Sequence, residues 1–298
     1  MKKVLLVYYT QSGQLREIAE HFIGPLEDAG IRVEKLSIQP LQPYPFPWSS
    51  DSFFDAMPES VLGIPTPIEP LQFGEKSYDL VIFAYQPWFL SPSIPATAAL
   101  LHPQFKAILN NTPVVTLIGA RNMWLNSQEK IKSLLQQAGA RLVGNVVLAD
   151  RHNNHVSAVT ILYWMLTGKK DRLLNIFPKP GVSDADIAGA ENFGELLVDK
   201  VAKSQYDDLQ KELVGKKALE VKYNLMFIES KAGKIFRIWA NGIVKKKNRK
   251  LWLKVFKYYL LFALFIVAPV LLLLNNILVR PFTVQSTRKK KLYYLGLN

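Results

Sequence analysis

Twenty-two consecutive uncharged and nearly all apolar residues, Tyr258 to Val279 (YYLLFALFIVAPVLLLLNNILV), separate Lys257 from Arg280. As a helix rising about 1.5 Å per residue, the run covers ~33 Å, close to one hydrocarbon thickness. A buried core helix with a solvated basic face is the alternative reading, but soluble cores rarely hold so long an apolar run. Its flanks suit a membrane interface. Lys245, Lys246, Lys247, Arg249, Lys250, Lys254 and Lys257 precede it with Trp252, Tyr258 and Tyr259 interleaved, and Arg280, Arg288 and Lys289 to Lys291 follow. Amphipathic aromatics sit at headgroup depth and basic side chains attract anionic lipid. Upstream, Ile235, Ile238, Trp239 and Ile243 repeat at helical spacing among basic residues, as in an interfacial helix. Seven basic charges before the run against five after it favour a cytosolic amino side. Pro269 and the pair Asn275–Asn276 suit a broken, re-entrant helix, so spanning and re-entrant topologies both stay open.

Charge divides the chain in the same place. The whole sequence has 37 Lys and Arg against 24 Asp and Glu, yet residues 230–298 hold 15 of the basic residues and no acidic one. The first 229 residues are therefore close to neutral. A basic surface concentrated around an apolar run points to lipid and away from nucleic acid. The absence of cysteine excludes disulfides, thiolate metal sites and cysteine nucleophiles, and with four histidines no metal centre is expected. Lys2–Lys3 are followed by only about six strand-like residues, too few for a secretory signal. The expected location is the cytoplasmic face of the inner membrane, anchored by the C-terminal segment.

Short β-branched runs mark strands at Lys3–Tyr9, Arg32–Ser37, Leu80–Tyr85, Val114–Gly119 and Arg141–Leu148. Helical patterns separate them, for example Leu15–Leu26 and Gln128–Ala138. Strands alternating with helices imply an α/β fold with a doubly wound parallel sheet, and a chain that begins on a buried strand suits the flavodoxin-like order 2-1-3-4-5. Residues 1–200 read as this domain, 201–230 as a connector, 231–257 as a basic amphipathic segment, 258–279 as the hydrophobic helix and 280–298 as a basic tail. In such sheets ligands bind beyond the carboxyl ends of the strands.

The loop after the first strand reads Thr10-Gln11-Ser12-Gly13-Gln14-Leu15 and opens a helix. Hydroxyls and N–H groups at a helix amino end form a nest for a phosphate, and Gly13 permits close approach. T-x-S-G-x resembles the flavin mononucleotide (FMN) phosphate loop of flavodoxin-like proteins, with Leu15 standing where a hydroxyl residue is common. A Gly-containing turn is also an ordinary helix cap. The loop after the third strand, Gln86-Pro87-Trp88-Phe89 running on to Pro95-Ala96, is similar to the aromatic loop that backs the isoalloxazine in flavodoxin-like quinone and flavin reductases. A loop packed locally by Trp88 and Phe89 is the alternative. Gly119-Ala120-Arg121-Asn122-Met123-Trp124 stands in the position of the third flavin loop. There Arg121 either counters the charge of a reduced flavin or makes a surface ion pair.

Longer stretches carry a narrower resemblance: Pro43 to Trp48, Asp51 to Ser60, Ala84 to Trp88, Gly119 to Trp124 and Asp150 to Asn154. Together they resemble the dialkylresorcinol-forming condensing enzymes, or aromatases, of bacterial flexirubin-type pigment clusters, and the likeness covers the whole chain. It implies FMN-dependent oxidation of a 2,5-dialkylcyclohexane-1,3-dione to a 2,5-dialkylresorcinol, with a ketosynthase as partner. A membrane-associated NAD(P)H:quinone reductase and a non-catalytic ketosynthase scaffold are the competing readings, and a homo-oligomer is compatible with any of them.

Aromatisation removes a proton alpha to a carbonyl and a hydride from the neighbouring carbon, so a base and a cationic or amide environment for the enolate are required. His152, flanked by Asp150 and Asn153–Asn154 at a strand's carboxyl end, is the candidate base, unless it caps the next helix. Tyr85 and Arg121 are candidate oxygen ligands. The long Pro- and aromatic-rich stretch Leu41–Pro70 suggests a lid, in which Trp48, Phe53, Phe54 and Met57 would receive alkyl chains. The helix around Val156–Thr167 is apolar nearly all round and reads as core rather than site.

Overall fold

The structure, a computed structural model, describes residues 1–297. Five parallel strands, β1 (Lys3–Tyr8), β2 (Arg32–Ser37), β3 (Leu80–Tyr85), β4 (Pro113–Ala120) and β5 (Arg141–Ala149), form one sheet in the order β2-β1-β3-β4-β5. This is the flavodoxin-like doubly wound order. The central strands are buried on both faces: every residue of LVIFAY in β3 is inaccessible. Such continuous apolar runs are what a parallel sheet covered by helices demands.

Helix α1 (Gln14–Asp28) crosses back over one face after β1. Between β2 and β3 the chain makes an excursion that carries two short helices, α2 (Ser50–Asp55) and α3 (Met57–Leu62). Ser49 caps α2 by exchanging hydrogen bonds with Ser52, which fixes where the excursion turns helical. Helices α4 (Ile94–Leu101), α5 (Pro103–Leu109) and α6 (Leu125–Gln137) flank β4 in the chain, and α7 (Asn154–Thr167) follows β5. After the one-turn α8 (Asp184–Ala188), helix α9 (Glu191–Lys203) packs along α1.

Residues 201–230, expected as a connector, belong to the folded domain. Tyr206, Leu209, Leu213, Leu219 and Val221 are buried, and Val147 of β5 donates to Ala218 O at 2.8 Å. Helix α10 (Leu209–Gly215) covers β5. The reason is apolar spacing, which closes an otherwise open sheet edge. The boundary expected at 230/231 also falls inside one continuous helix, α11 (Tyr223–Ile243).

The hydrophobic segment forms α12, Arg249–Phe282, a helix of 34 residues long and apolar enough to cross a membrane. Helix α13 (Val284–Leu295) ends the described chain. One side of α12 packs on the excursion and on α11. Phe54, Met57 and Val61 meet Phe236, Ala240, Ile243, Leu253 and Phe256 in a second apolar core. Phe54 and Met57, expected to line a substrate channel, are thus committed to holding α11 and α12.

Helices α9 and α1 approach closely at Gly194 of α9, where an added Cβ would lie 2.0 Å from Phe22 O of α1. Backbone cannot yield as a flexible side chain does. Gly194→Ala is therefore expected to destabilise the domain by about 2–3 kcal/mol or more, read as a lower urea midpoint at unchanged slope.

Candidate functional site

The carboxyl ends of β1, β3 and β4 open onto one cavity of ≈ 230 Å³, and all three sequence-identified loops reach it. In the first loop, Gly13 N donates to Thr10 Oγ1 at 3.1 Å and Gly13 takes φ of 89° to start α1. A side chain would be strained there. The N–H groups of Gln11, Ser12, Gln14 and Leu15 find no partner among the described residues, and Gln11, Ser12, Gln14 and Leu15 border the cavity. This is an anion nest at a helix amino end.

The side chains of that loop divide the work. Gln11 Nε2 donates to Tyr44 O (3.1 Å) and Pro45 O (2.8 Å), and its Oε1 accepts from the Tyr9 hydroxyl, so it fastens the excursion. The Gln14 amide is paired with Val182 backbone in both directions, at 3.1 and 3.0 Å. Leu15 is buried, with Gly119 of β4 packed so closely on it that a Cβ there would meet Leu15 Cδ1 at 3.2 Å. Leu15 therefore serves the core, which explains why no hydroxyl occupies the position.

In the second loop, Pro87–Trp88 and Ser91–Pro92 form a two-residue antiparallel hairpin. Trp88 packs edge-on to Tyr44 (5.0 Å), Trp48 (5.3 Å) and Tyr9 (5.9 Å). Trp48 stands behind Trp88 and does not border the cavity, whereas Phe53 does, packed on Phe89 at 4.9 Å. Gln86 borders the cavity with its buried Nε2 unpaired. A flat heterocycle placed here would meet aromatic edges and an available amide donor.

In the third loop, Gly119, Ala120 and Arg121 face the cavity, and Arg121 is its only titratable side chain among the described residues. Arg121 Nη1 donates to Asn154 O and Oδ1, both at 3.0 Å. Burial lowers its pKa to about 10, opposed by the charges of Asp150 and Glu229, so it stays cationic at neutral pH. Asn122 and Trp124 point the other way, into a second cavity of ≈ 650 Å³ beyond β5.

Two of the three candidate catalytic residues stand elsewhere. Tyr85 is fully buried in β3 and donates to Gln128 Oε1 at 2.9 Å, and Gln128 Nε2 donates to Thr116 Oγ1 at 3.0 Å. That network spans sheet and α6, and burial raises the Tyr85 pKa well above its ordinary value. His152 borders neither cavity. Its Nδ1 lies 2.7 Å from Asp150 Oδ1, with the carboxylate buried and the imidazole 43% exposed. Asn153 does cap α7, accepting from His155 N at 3.0 Å.

The fourth wall was not anticipated. Ile161, Leu162, Trp164 and Met165 of α7 close the cavity from above. Because α7 is apolar on every side, its pattern reads as core, and in one sense it is: the helix is roofed onto the site. Glu229 of α11 was missed as well. It is buried, accepts from Asn126 N at 2.7 Å at the start of α6, and borders the second cavity beside Asp150. No motif surrounds it, and it reaches this place from 103 residues away.

No protein-family model and no curated protein matches this chain. Among solved structures, a flavoprotein in complex with FMN from Lactobacillus acidophilus is 18% identical, covering 49% of this chain and 93% of that one, with a TM-score of 0.41. A flavodoxin from the domain Archaea is 12% identical over 67% of this chain and 99% of its own, at a TM-score of 0.37. A flavone reductase is 11% identical over 69% and 65%, at 0.36.

Burial raises the Glu229 pKa to about 7, against the backbone N–H donors at the start of α6 and the charge of Arg121, which lower it. The folded protein thus holds this proton more tightly than the unfolded chain does. Its contribution to stability is complete below about pH 4.5 and is lost as pH rises through about 7. Glu229→Gln keeps an acceptor for Asn126 N–H and is expected to flatten that fall, worth on the order of 3 kcal/mol. Urea unfolding near pH 5 and near pH 8 measures it.

Proposed function

We propose that the protein is an FMN-dependent oxidoreductase acting on a lipophilic cyclic dione, an aromatase that converts a 2,5-dialkylcyclohexane-1,3-dione to the resorcinol. The observation that carries the cofactor reading is the convergence of three loops on one cavity that offers unpaired backbone N–H groups at one place and an unpaired amide and a guanidinium at others. The donor set fits FMN: the nest from Gln11 to Leu15 would hold the phosphate, and Gln86 and Arg121 would face the polar edge of the ring. When bound, FMN supplies the hydride acceptor.

The chain's own residues account for the rest of the reaction. A cyclohexane-1,3-dione is acidic and binds as its enolate, for which the buried Arg121 cation is the counter-charge. Asn154 holds the guanidinium in place through two hydrogen bonds. Loss of a hydride from one ring carbon and a proton from its neighbour, with enolisation of the carbonyls, balances the two hydrogens that separate dione from resorcinol. The Phe53–Phe89 pair at the mouth suits the alkyl substituents. Among the described residues no carboxylate or imidazole lines the cavity, so the proton is taken from outside this wall. Asp150 and His152 pair with each other after β5 but do not line the cavity.

At ≈ 230 Å³ the cavity is smaller than the ~300–1,000 Å³ of typical ligand sites, and Trp164 and Met165 occupy the roof. Entry of a tricyclic ring therefore requires α7 to draw back. The narrower dione reading is supported by the sequence resemblance together with the apolar mouth.

FMN titrated into flavin-free protein is expected to restore a yellow spectrum and quench tryptophan fluorescence, since Trp88 and Trp164 border the cavity. Gly13→Val, which puts a β-branched residue at φ of 89°, is expected to weaken FMN by at least about tenfold. Under argon, bleaching by a dialkyl dione supports the aromatase. Bleaching by NADPH alone supports a quinone reductase instead, and a protein that never takes up flavin leaves the scaffold reading.

A further inference from the structure

We propose that α12 lies in the plane of one leaflet of an anionic phospholipid bilayer, with both of its ends on the same side, so that the protein is monotopic. Length alone would permit spanning: 34 residues of helix extend ~51 Å. The attachments of the helix do not. Near its start, Arg249 pairs with Glu59 through two 2.6 Å bonds and with Asp55 at 2.8 Å. In the middle, His155 Nε2 lies 3.3 Å from Leu264 O, and its ring packs on Phe265 at 5.6 Å. Farther along, Asn275 Nδ2 donates to Tyr223 OH at 2.8 Å.

Beyond α12 the chain returns to the sheet domain. Tyr293 OH donates to Glu129 at 2.7 Å, and Gln210 Nε2 donates to Leu295 O at 2.7 Å. Asp55, Glu129 and Gln210 belong to one folded body whose loops cannot pass through hydrocarbon. A helix fastened to that body at its beginning, middle and end runs alongside it.

What remains open is a broad apolar stripe that widens toward the end of α12 to take in Leu271, Leu274 and Leu278. Exposed positions recur every three or four residues from Leu251 and Val255 through Phe262, Ile266 and Val270 to Ile277. Leu253, Phe256 and Asn275 are buried against the domain. Water is a poor partner for a stripe of this length, and 15 Lys and Arg with no acidic residue from 230 onward select an anionic leaflet. The stripe's helix also adjoins the cavity: Phe256 packs on Phe54 at 6.3 Å, and Phe54 on Phe89 at 6.2 Å. On the flavin reading, a lipophilic substrate would enter from the leaflet by that apolar lip.

The chain has no cysteine, so single-cysteine variants of the full protein report position directly. Asp28→Cys marks the sheet domain, Lys247→Cys precedes α12 and Ser286→Cys follows it; all three sites are exposed. In sealed inner-membrane vesicles, a membrane-impermeant maleimide is expected to label the three variants to the same extent. Labelling of Ser286→Cys only after detergent, while the other two react at once, would mean a spanning helix and overturn the proposal. Recovery of the unmodified chain in the soluble fraction would overturn it too. Phe262→Asp is expected to lower partitioning onto phosphatidylcholine–phosphatidylglycerol vesicles on the order of a hundredfold; unchanged partitioning refutes insertion of the stripe. Flavin content is read separately from absorbance, so loss of the cofactor reading would leave these outcomes untouched.

Discussion

A parallel sheet satisfies its backbone only when every connection returns over a face, and that constraint places the chemistry of this chain. Strands β1, β3 and β4 all end on one edge, so the loops that follow them meet there whatever their sequences. What the sequence adds is the finish of each loop. Gly13 releases N–H groups, the Pro87–Trp88 hairpin supplies an aromatic wall, and Arg121 supplies a cation. Burying that cation costs desolvation energy, which its lowered pKa registers, and the nearby Asp150 and Glu229 charges offset part of it. The two carboxylates carry strain of their own: Asp150 Oδ2 and Glu229 Oε2 are buried without a hydrogen-bond partner. The loop therefore sits between two cavities as a charged partition, held by groups from β5, α7 and α11.

Where local pattern decides structure, the sequence was readable. β-branched runs placed the strands within a residue or two, because parallel-sheet strands are buried on both faces and admit little else. The three loops were readable for the same reason, since each directly follows a strand. Tyr85 shows the limit: it ends β3 beside the site but belongs to the buried network with Gln128 and Thr116, because alternation along the strand aims it away. His152 likewise has the right place in the chain yet borders neither cavity, its imidazole paired with Asp150. The α7 roof was illegible because a helix apolar on all sides gives no hint of which side covers a ligand. Glu229 was illegible because nothing local marks a residue whose role is set by a partner more than a hundred positions away.

The polar interruptions of α12 bear most on how the hydrophobic segment is used. Ala268 N–H reaches back five residues to Ala263 O in a π turn, and the next donor in that register would be Pro269, which has no N–H. Leu264 O is thereby released, and the sheet domain supplies His155 to meet it. A second π turn, Asn275–Val279, precedes Pro281, and there the domain supplies Tyr223, whose hydroxyl accepts from Asn275 while Arg280 lies 4.9 Å from its ring. In lipid each of these polar atoms would cost several kcal/mol if left alone. A helix that spans would need partners from other spanning helices, and among the described residues α12 is the only candidate span. Here the partners come from the folded domain, at His155 and Tyr223. Both interruptions of α12 are thus met by protein, and under the leaflet proposal what the helix would offer to hydrocarbon is its exposed apolar surface.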